Sequence, residues 1–224
     1  MSGAADWRVH VARLRRLDAC AVSDAQDRLQ LNGAVSGLTR RAGAGVLAGR
    51  ALTVKVGPGK PAAKPRHLGV SAIEAAGPDD VIVVEQRSGV EAGCWGGLLT
   101  LAAKLRGVSG VVADGPVRDS DEAAAYGFPV FARSVTTRTA RGRVVELETG
   151  GPVSIGDATV QTGDYVIADG SGVVFVSAEN IAAVLAAAEE IALREAEMAK
   201  ALLAGTAPSD VMAGNYENML ERKP

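Results

Sequence analysis

Two short stretches carry the residue types and spacing that chemistry needs. The first is Gly93-Cys-Trp-Gly-Gly-Leu-Leu99, and the second is Asp114-Gly-Pro-Val-Arg-Asp119. Gly96 and Gly97 precede an apolar run with helical spacing, and the first N–H groups of a helix have no internal acceptor and carry partial positive charge. With no side chain in the way, a carboxylate or phosphate can dock there. The second stretch follows the buried-strand pattern Gly110-Val-Val-Ala113, and α/β folds place ligand crevices beyond such strand ends. A guanidinium such as Arg118 grips a carboxylate at two points, and Asp119 or Asp114 can offer oxygen to a hard divalent cation. Together they would suit a small 2-oxo acid. The plainer alternative is that the glycine pair serves packing, Asp-Gly makes a turn, and Arg118 and Asp119 are solvated loop neighbours.

The elements that must position these stretches follow from periodicity. Apolar residues at Trp7, Val11, Leu14 and Leu17 predict an amphipathic helix. Ser23-Asp-Ala-Gln26 has capping-box spacing and predicts a short helix from there to Gln30, stopped by Asn32-Gly33. Leu52 to Val56 alternates as a half-buried strand, and Gly57 to Arg66 reads as a mobile loop. Helices at 67–76, 98–105 and 120–126 then alternate with strands at 81–84, 110–113 and 129–132. This pattern predicts parallel pairing with helical crossovers. Short strands at 144–147, 153–155, 158–161, 165–168 and 173–176, separated by turn dipeptides, predict a compact β layer of hairpins. Asn180 to Leu203 reads as a final helix with Ile181, Val184, Leu185, Ala188, Ile191 and Met198 on its apolar side.

Composition narrows the function classes. The 224 residues are about one and a half typical domain lengths, and with neither repeat nor linker they read as a single α/β domain. Net charge is −2, with 24 basic and 26 acidic residues. The basic clusters Arg13, Arg15, Arg16 and Arg138, Arg141, Arg143 are short and diluted by acids, so neither nucleic acid nor a membrane surface is an expected partner. Aromatic residues, at 4%, are too few for a single-strand stacking surface. The first twenty residues hold arginines and no apolar signal-peptide core, and no apolar run is long enough to span a bilayer. With Cys20 and Cys94 far apart, the expectation is a cytoplasmic protein with reduced thiols. Glycine is in excess at 27 copies without periodicity, which implies many turns and close backbone approaches.

These two stretches, with the flanks Arg106-Gly-Val-Ser-Gly110 and Thr162-Gly-Asp-Tyr-Val-Ile-Ala-Asp169-Gly170, resemble the RraA-like family. That family holds the regulator of ribonuclease activity A and the class II 4-hydroxy-4-methyl-2-oxoglutarate / 4-carboxy-4-hydroxy-2-oxoadipate aldolases. The likeness runs from about Val22 to Val176, and Asp-Gly-x-Val-Arg-Asp is its most specific part. It implies a layered β/β/α swivelling-domain fold, assembled as a trimer or a dimer of trimers with active sites at subunit interfaces. It further implies an Mg²⁺- or Mn²⁺-dependent carbon–carbon lyase, an aldolase or an oxaloacetate decarboxylase, that releases pyruvate. By resemblance Asp119 is the metal-binding residue and Arg118 contacts substrate and leaving group. Gly96, Gly97, Leu98 and Leu99 form the substrate-binding turn, with the backbone amides of Gly96, Leu98 and Leu99 cradling the pyruvate carboxylate.

The chain departs from the aldolase pattern at one position. The family motif has an acid, twenty residues, then Arg-Asp, and the residue twenty-one positions before Arg118 is Gly97. In the family this acid orders water at the metal and takes part in proton transfer. Glu91 or Asp114 could substitute, a neighbouring subunit's terminal helix could supply Glu195 or Glu197, or the aldol activity could be lost. The loss would favour a non-catalytic, protein-binding regulator. His67 with Lys60, Lys64 and Arg66 could form a lid over a second carboxylate or a plain solvated surface, and Cys94 reads as a packing residue. A methyltransferase has little support, because no glycine-rich nucleotide loop follows an N-terminal strand.

Overall fold

The computed structural model describes residues 6–59 and 66–212. Two helices open it, α1 (Asp6–Leu14) and α2 (Ala19–Arg28), followed by the short strands β1 (Ala34–Val35) and β2 (Thr39–Ala42) and the long β3 (Leu47–Gly57). Helices and strands then alternate as α3 (Val70–Ala75), β4 (Asp80–Glu85), α4 (Gly97–Leu105), β5 (Gly110–Val117), α5 (Ser120–Ala125) and β6 (Val130–Val135). After β7 (Val145–Thr149), β8 (Val153–Ile155), β9 (Ala158–Val160), β10 (Tyr165–Ala168) and β11 (Val173–Val176), the chain ends its described part in α6 (Ile181–Leu203) and α7 (Pro208–Val211).

One mixed, curled sheet organises these elements in the order β1-β11-β10-β3-β4-β5-β6-β2, with β7 also paired to β3. Its centre, β3 to β6, is parallel as expected, with α3, α4 and α5 as the crossovers. Side-chain alternation explains the curl. Ile82 and Val84 of β4 face a core shared with α3, α4 and α5, whereas Val81 and Val83 face an inner core shared with Val166, Val173 and Phe175. Strands β10 and β11 repeat the device, turning Ile167 and Val174 outward to α1, α2 and α6. A strand buried on both faces reads as an unbroken apolar run, as Val81 to Val84 does. Each such valine contributes on the order of 1.5–3 kcal/mol by leaving water, so an aspartate at Val83 would disrupt the inner core.

Several expectations need correction. Helix α2 begins four residues before Ser23: Asp18 is its N-cap, accepting from the Ala21 N–H at 2.8 Å, while Asp169 Oδ2 accepts from Ala19 N–H at 2.8 Å. Two carboxylates satisfy the first amides there, so the serine lies inside the helix and caps nothing. The β layer expected after residue 144 is also divided. Only β8 and β9 form a separate hairpin, whereas β7, β10 and β11 join the main sheet. Strands β1 and β2 and helix α7 carry too little pattern to be read. Lys60 and Lys64 of the expected loop lie outside the described residues. Among the described residues no helix is long and apolar enough to cross a membrane.

Candidate functional site

The two stretches singled out in the sequence meet above the C-terminal ends of the parallel strands β4 and β5. Between Ala113 and Pro116 the β5–β6 register shifts, so Asp114-Gly115 forms a bulge that redirects the strand before Arg118. Gly115 is needed for close approach, since a Cβ there would lie 2.7 Å from Gln86 Cβ and 2.8 Å from its carbonyl oxygen. The Gly93 loop runs beside this strand end, with Cys94 N–H donating to Pro116 O at 2.9 Å and Arg118 N–H to Trp95 O at 3.0 Å. Buried Trp95 donates its indole N–H to Thr100 Oγ1 at 2.9 Å, which pins the loop to the first turn of α4.

Asp119 occupies the left-handed region, at φ 59° and ψ 38°. An aspartate tolerates this conformation better than most residues. It precedes α5 without capping it and turns back instead, its Oδ2 accepting the Gly97 N–H at 2.9 Å. The Arg118 Nε lies 3.3 Å from Asp119 Oδ1 and 3.2 Å from Oδ2. The terminal guanidinium nitrogens have no partner among the described residues, which leaves their paired donors for an outside carboxylate. Space, not backbone conformation, explains the glycines. A Cβ on Gly93 would lie 3.1 Å from Arg118 Cγ and Cδ, and one on Gly96 would lie 2.9 Å from Asp119 Oδ2. The two glycines are therefore the floor on which Arg118 and Asp119 rest.

These side chains line an open groove of about 660 Å³ that also takes in Glu91, Glu122, Val135 and Thr136. Four carboxylates border it, from Glu91, Asp119, Asp121 and Glu122, against the single guanidinium of Arg118. Among the described residues no group of three or more His, Cys, Asp or Glu gathers as a metal cage. What the groove offers is one well-oriented carboxylate, Asp119, with a second beside it and open space. That donor set fits a hard divalent ion that keeps most of its water, such as Mg²⁺, and does not fit a closed structural zinc site.

The other candidates separate clearly. Glu91 lies on the groove wall, accepting from Thr136 Oγ1 at 3.1 Å with Arg138 Nε at 3.7 Å. Asp114 points away, toward the β8–β9 turn, where Arg133 Nε at 2.8 Å and Gly156 N–H at 2.6 Å occupy both its oxygens. It cannot stand in for the absent acid. Within this chain Glu195 lies beside Asp18 and Asp24, and burial followed by those two charges pushes its carboxyl above the ordinary range. Arg66 pairs with Glu74 at 2.8 Å, a surface pair. Cys94 is fully buried, its thiol pushed up to about 12 chiefly by burial and donating to Pro116 O, so it packs and does not react.

Sequence reasoning missed Glu122. It borders the same groove as Asp119 from the first turn of α5.

Comparison with known proteins bears on the family and the fold. Residues 19–175 match the family described as RraA-like: Aldolase/RraA. A protein of Halalkalibacterium halodurans named putative 4-hydroxy-4-methyl-2-oxoglutarate aldolase is 28% identical over 168 residues, covering 74% of this chain and 75% of that one. Protein DlpA of Legionella pneumophila is 25% identical over 87% of this chain, and an uncharacterized protein of Methanocaldococcus jannaschii is 35% identical over 54%. The chain spans 32% of the former's length and 58% of the latter's. Among solved structures, an uncharacterized protein from Pseudomonas syringae superposes with a TM-score of 0.82 at 26% identity, covering 91% of this chain and 96% of that one. Streptomyces coelicolor RraAS2, described as an unusual member of the RNase ES inhibitor RraA protein family, shares the fold with a TM-score of 0.73 at 24% identity, over 83% of this chain and 93% of that one.

Proposed function

The chain belongs to the RraA-like family, and within it we propose that it is a divalent-metal-dependent carbon–carbon lyase. Its substrate would be a small 2-oxo di- or tricarboxylic acid such as 4-hydroxy-4-methyl-2-oxoglutarate, 4-carboxy-4-hydroxy-2-oxoadipate or oxaloacetate, with pyruvate as product. The observation that carries this reading is the meeting of Arg118 and Asp119 with the N-terminus of α4 in an open groove. Asp119 would hold Mg²⁺ or Mn²⁺. When bound, the cation supplies charge stabilisation on the 2-oxo oxygen as the C–C bond breaks.

The chain's own groups do the rest. Leu98 and Leu99, the second and third residues of α4, present backbone N–H groups with no helical acceptor, which would orient the substrate's 1-carboxylate. The free guanidinium end of Arg118 would hold the carboxylate or carbonyl of the departing fragment. Because Gly97 N–H is already taken by Asp119, the cradle would consist of the backbone N–H groups of Gly96, Leu98 and Leu99. Val135, 55% exposed, lines the groove, and Leu98, 84% exposed, stands on the first turn of α4; an adjoining subunit would cover these apolar side chains. From Ala192 onward α6 buries no residue fully within the chain, so its acids are free to reach such a neighbour. A trimer or a dimer of trimers with sites at subunit interfaces follows as part of the proposal.

Pyruvate release from the three acids, measured with Mg²⁺ or Mn²⁺ and with chelator, tests the reading. Cation-dependent release of pyruvate is expected from at least one. No turnover of any of them, with no cation-dependent pyruvate binding, would sink it. Arg118→Lys should lose roughly 100-fold in activity, since an ammonium cannot reproduce the planar fork. The rival reading, a non-catalytic regulator of a partner protein, is favoured by one observation only, the missing acid at Gly97.

A further inference from the structure

Gln86 joins the two stretches that form the groove. It follows β4 directly, and it is a polar residue only 3% exposed. Burying an amide is costly unless its donors and acceptor are used, and this one is fully engaged. Its Nε2 donates to Val90 O at 2.8 Å and to Ala92 O at 3.2 Å, while its Oε1 accepts from Ser88 Oγ at 3.0 Å and from the Ser88 N–H at 3.3 Å. Carbonyls at one end and donors at the other fix the orientation of the amide.

The two carbonyls lie on either side of Glu91 in the groove wall, and Ala92 leads directly into Gly93, on which the Arg118 stem rests. On its other side Gln86 meets the bulge of β5. Its backbone N–H donates to Asp114 O at 3.2 Å, and its Cβ lies where a Cβ on Gly115 would come within 2.7 Å. One buried residue therefore grips the Gly93 loop with its amide and the strand that carries Arg118 with its backbone and Cβ. The backbone bonds from Cys94 N–H to Pro116 O and from Arg118 N–H to Trp95 O continue the same seam.

We propose that Gln86 is a positioning residue of the groove: its amide sets the Gly93 loop against the β5 bulge and so aims Arg118 at the departing fragment of the substrate. The inference rests on the lyase reading for what Arg118 does, and on geometry alone for how Arg118 is held. Being buried, Gln86 acts through Gly93 and Arg118 and does not touch the substrate.

The test combines kinetics, pyruvate binding with Mg²⁺ and native-state amide exchange, with urea unfolding as the control for folding. Gln86→Met keeps the volume and removes the amide. Per folded molecule it should lower kcat on the preferred acid about 10-fold, while pyruvate affinity, which depends on the α4 amides and Asp119, stays within about 2-fold. A mere loss of stability would change neither quantity per folded molecule, and a collapsed site would change both. In an Arg118→Lys background the same substitution should cost less than about 2-fold, because residues that act through one another are not additive. The N–H groups of Gly93, Cys94 and Arg118 should exchange about 10-fold faster than the change in global unfolding alone produces. Gln86→Asn, a methylene shorter and unable to reach both carbonyls, should give the same pattern and serves where Gln86→Met does not fold.

Additive losses in the double variant, an equal loss of pyruvate affinity, or loop amides that exchange as in the parent would overturn the proposal. A parent that releases pyruvate from none of the acids would overturn the lyase reading instead, and faster loop exchange in the Gln86 variants would then leave the grip on Arg118 standing.

Discussion

Asp114 and Asp119 stand five residues apart at the end of one strand, each beside an arginine, and they have opposite roles. Asp114 is 4% exposed, with Arg133 and Gly156 on its two oxygens and Arg87 Nε at 3.6 Å. It ties β5 to β6, to the β8–β9 turn and to the loop after β4. Asp119 has a side chain 30% exposed, a left-handed backbone and an arginine whose outer nitrogens remain free. The β5 bulge separates them, turning one carboxylate to the hairpin side of the sheet and the other to the groove. An Asp-Arg pair is thus not informative by its composition. What distinguishes a joint from a site is whether the neighbours use up its hydrogen-bonding capacity.

The sharpest way to break this comparison is Asp119→Asn. Asparagine tolerates the left-handed conformation and can still accept the Gly97 N–H, so the fold loses only a charge. The expected result is roughly 100-fold or greater loss of cation-dependent pyruvate release, with unfolding free energy in urea within about 0.5 kcal/mol of the parent. A variant that loses several kcal/mol and keeps its activity per folded molecule would make Asp119 a joint after all.

Asp114→Ala should give the reverse. Removing the carboxylate leaves the Arg133 guanidinium and the Gly156 N–H without their acceptor, at a cost of about 3 kcal/mol in urea unfolding. Turnover per folded molecule at low temperature should be close to the parent's. Loss of turnover without loss of stability would place Asp114 in the chemistry.

How much of this could be read from the sequence depended on how local the deciding physics was. Strands β4, β5 and β6 and their helices were legible because burial on both sheet faces leaves an unbroken apolar run, as in Val81 to Val84. The pairing of Gly96-Gly97 with Arg118-Asp119 was legible as two stretches, but the reason for the glycines was not. At Gly96 it is the width of the Arg118 stem and the Asp119 carboxylate, set by a bulge that periodicity does not show, and at Gly97 the near atoms belong to Glu122. Glu122 was not legible as a groove residue for the same reason, since its approach to Gly97 depends on how α5 packs over the first turn of α4. The start of α2 was misplaced because its cap is shared with Asp169, 150 residues away.

The smallest effect separates burial from pairing as the source of Asp114's importance. Arg13 and Glu189 form a two-point pair between α1 and α6, at 2.7 and 2.8 Å, as well made as the Asp114 contacts. Their side chains are 32% and 44% exposed. The Arg13 hydrogen bond holds the Glu189 carboxyl below the ordinary carboxylate range. A carboxyl lowered by folding contributes fully above its unfolded value, and the contribution is lost as pH falls through the folded one. Glu189→Gln should therefore cost about 0.5 kcal/mol near pH 7, and the difference from the parent should close in acid and shrink in salt. Urea unfolding of Glu189→Gln and Asp114→Ala, each against the parent at two ionic strengths, tests this. If Glu189→Gln proved as costly as Asp114→Ala, pairing alone would set the scale; a small, salt-sensitive loss beside a large, salt-insensitive one assigns it to burial.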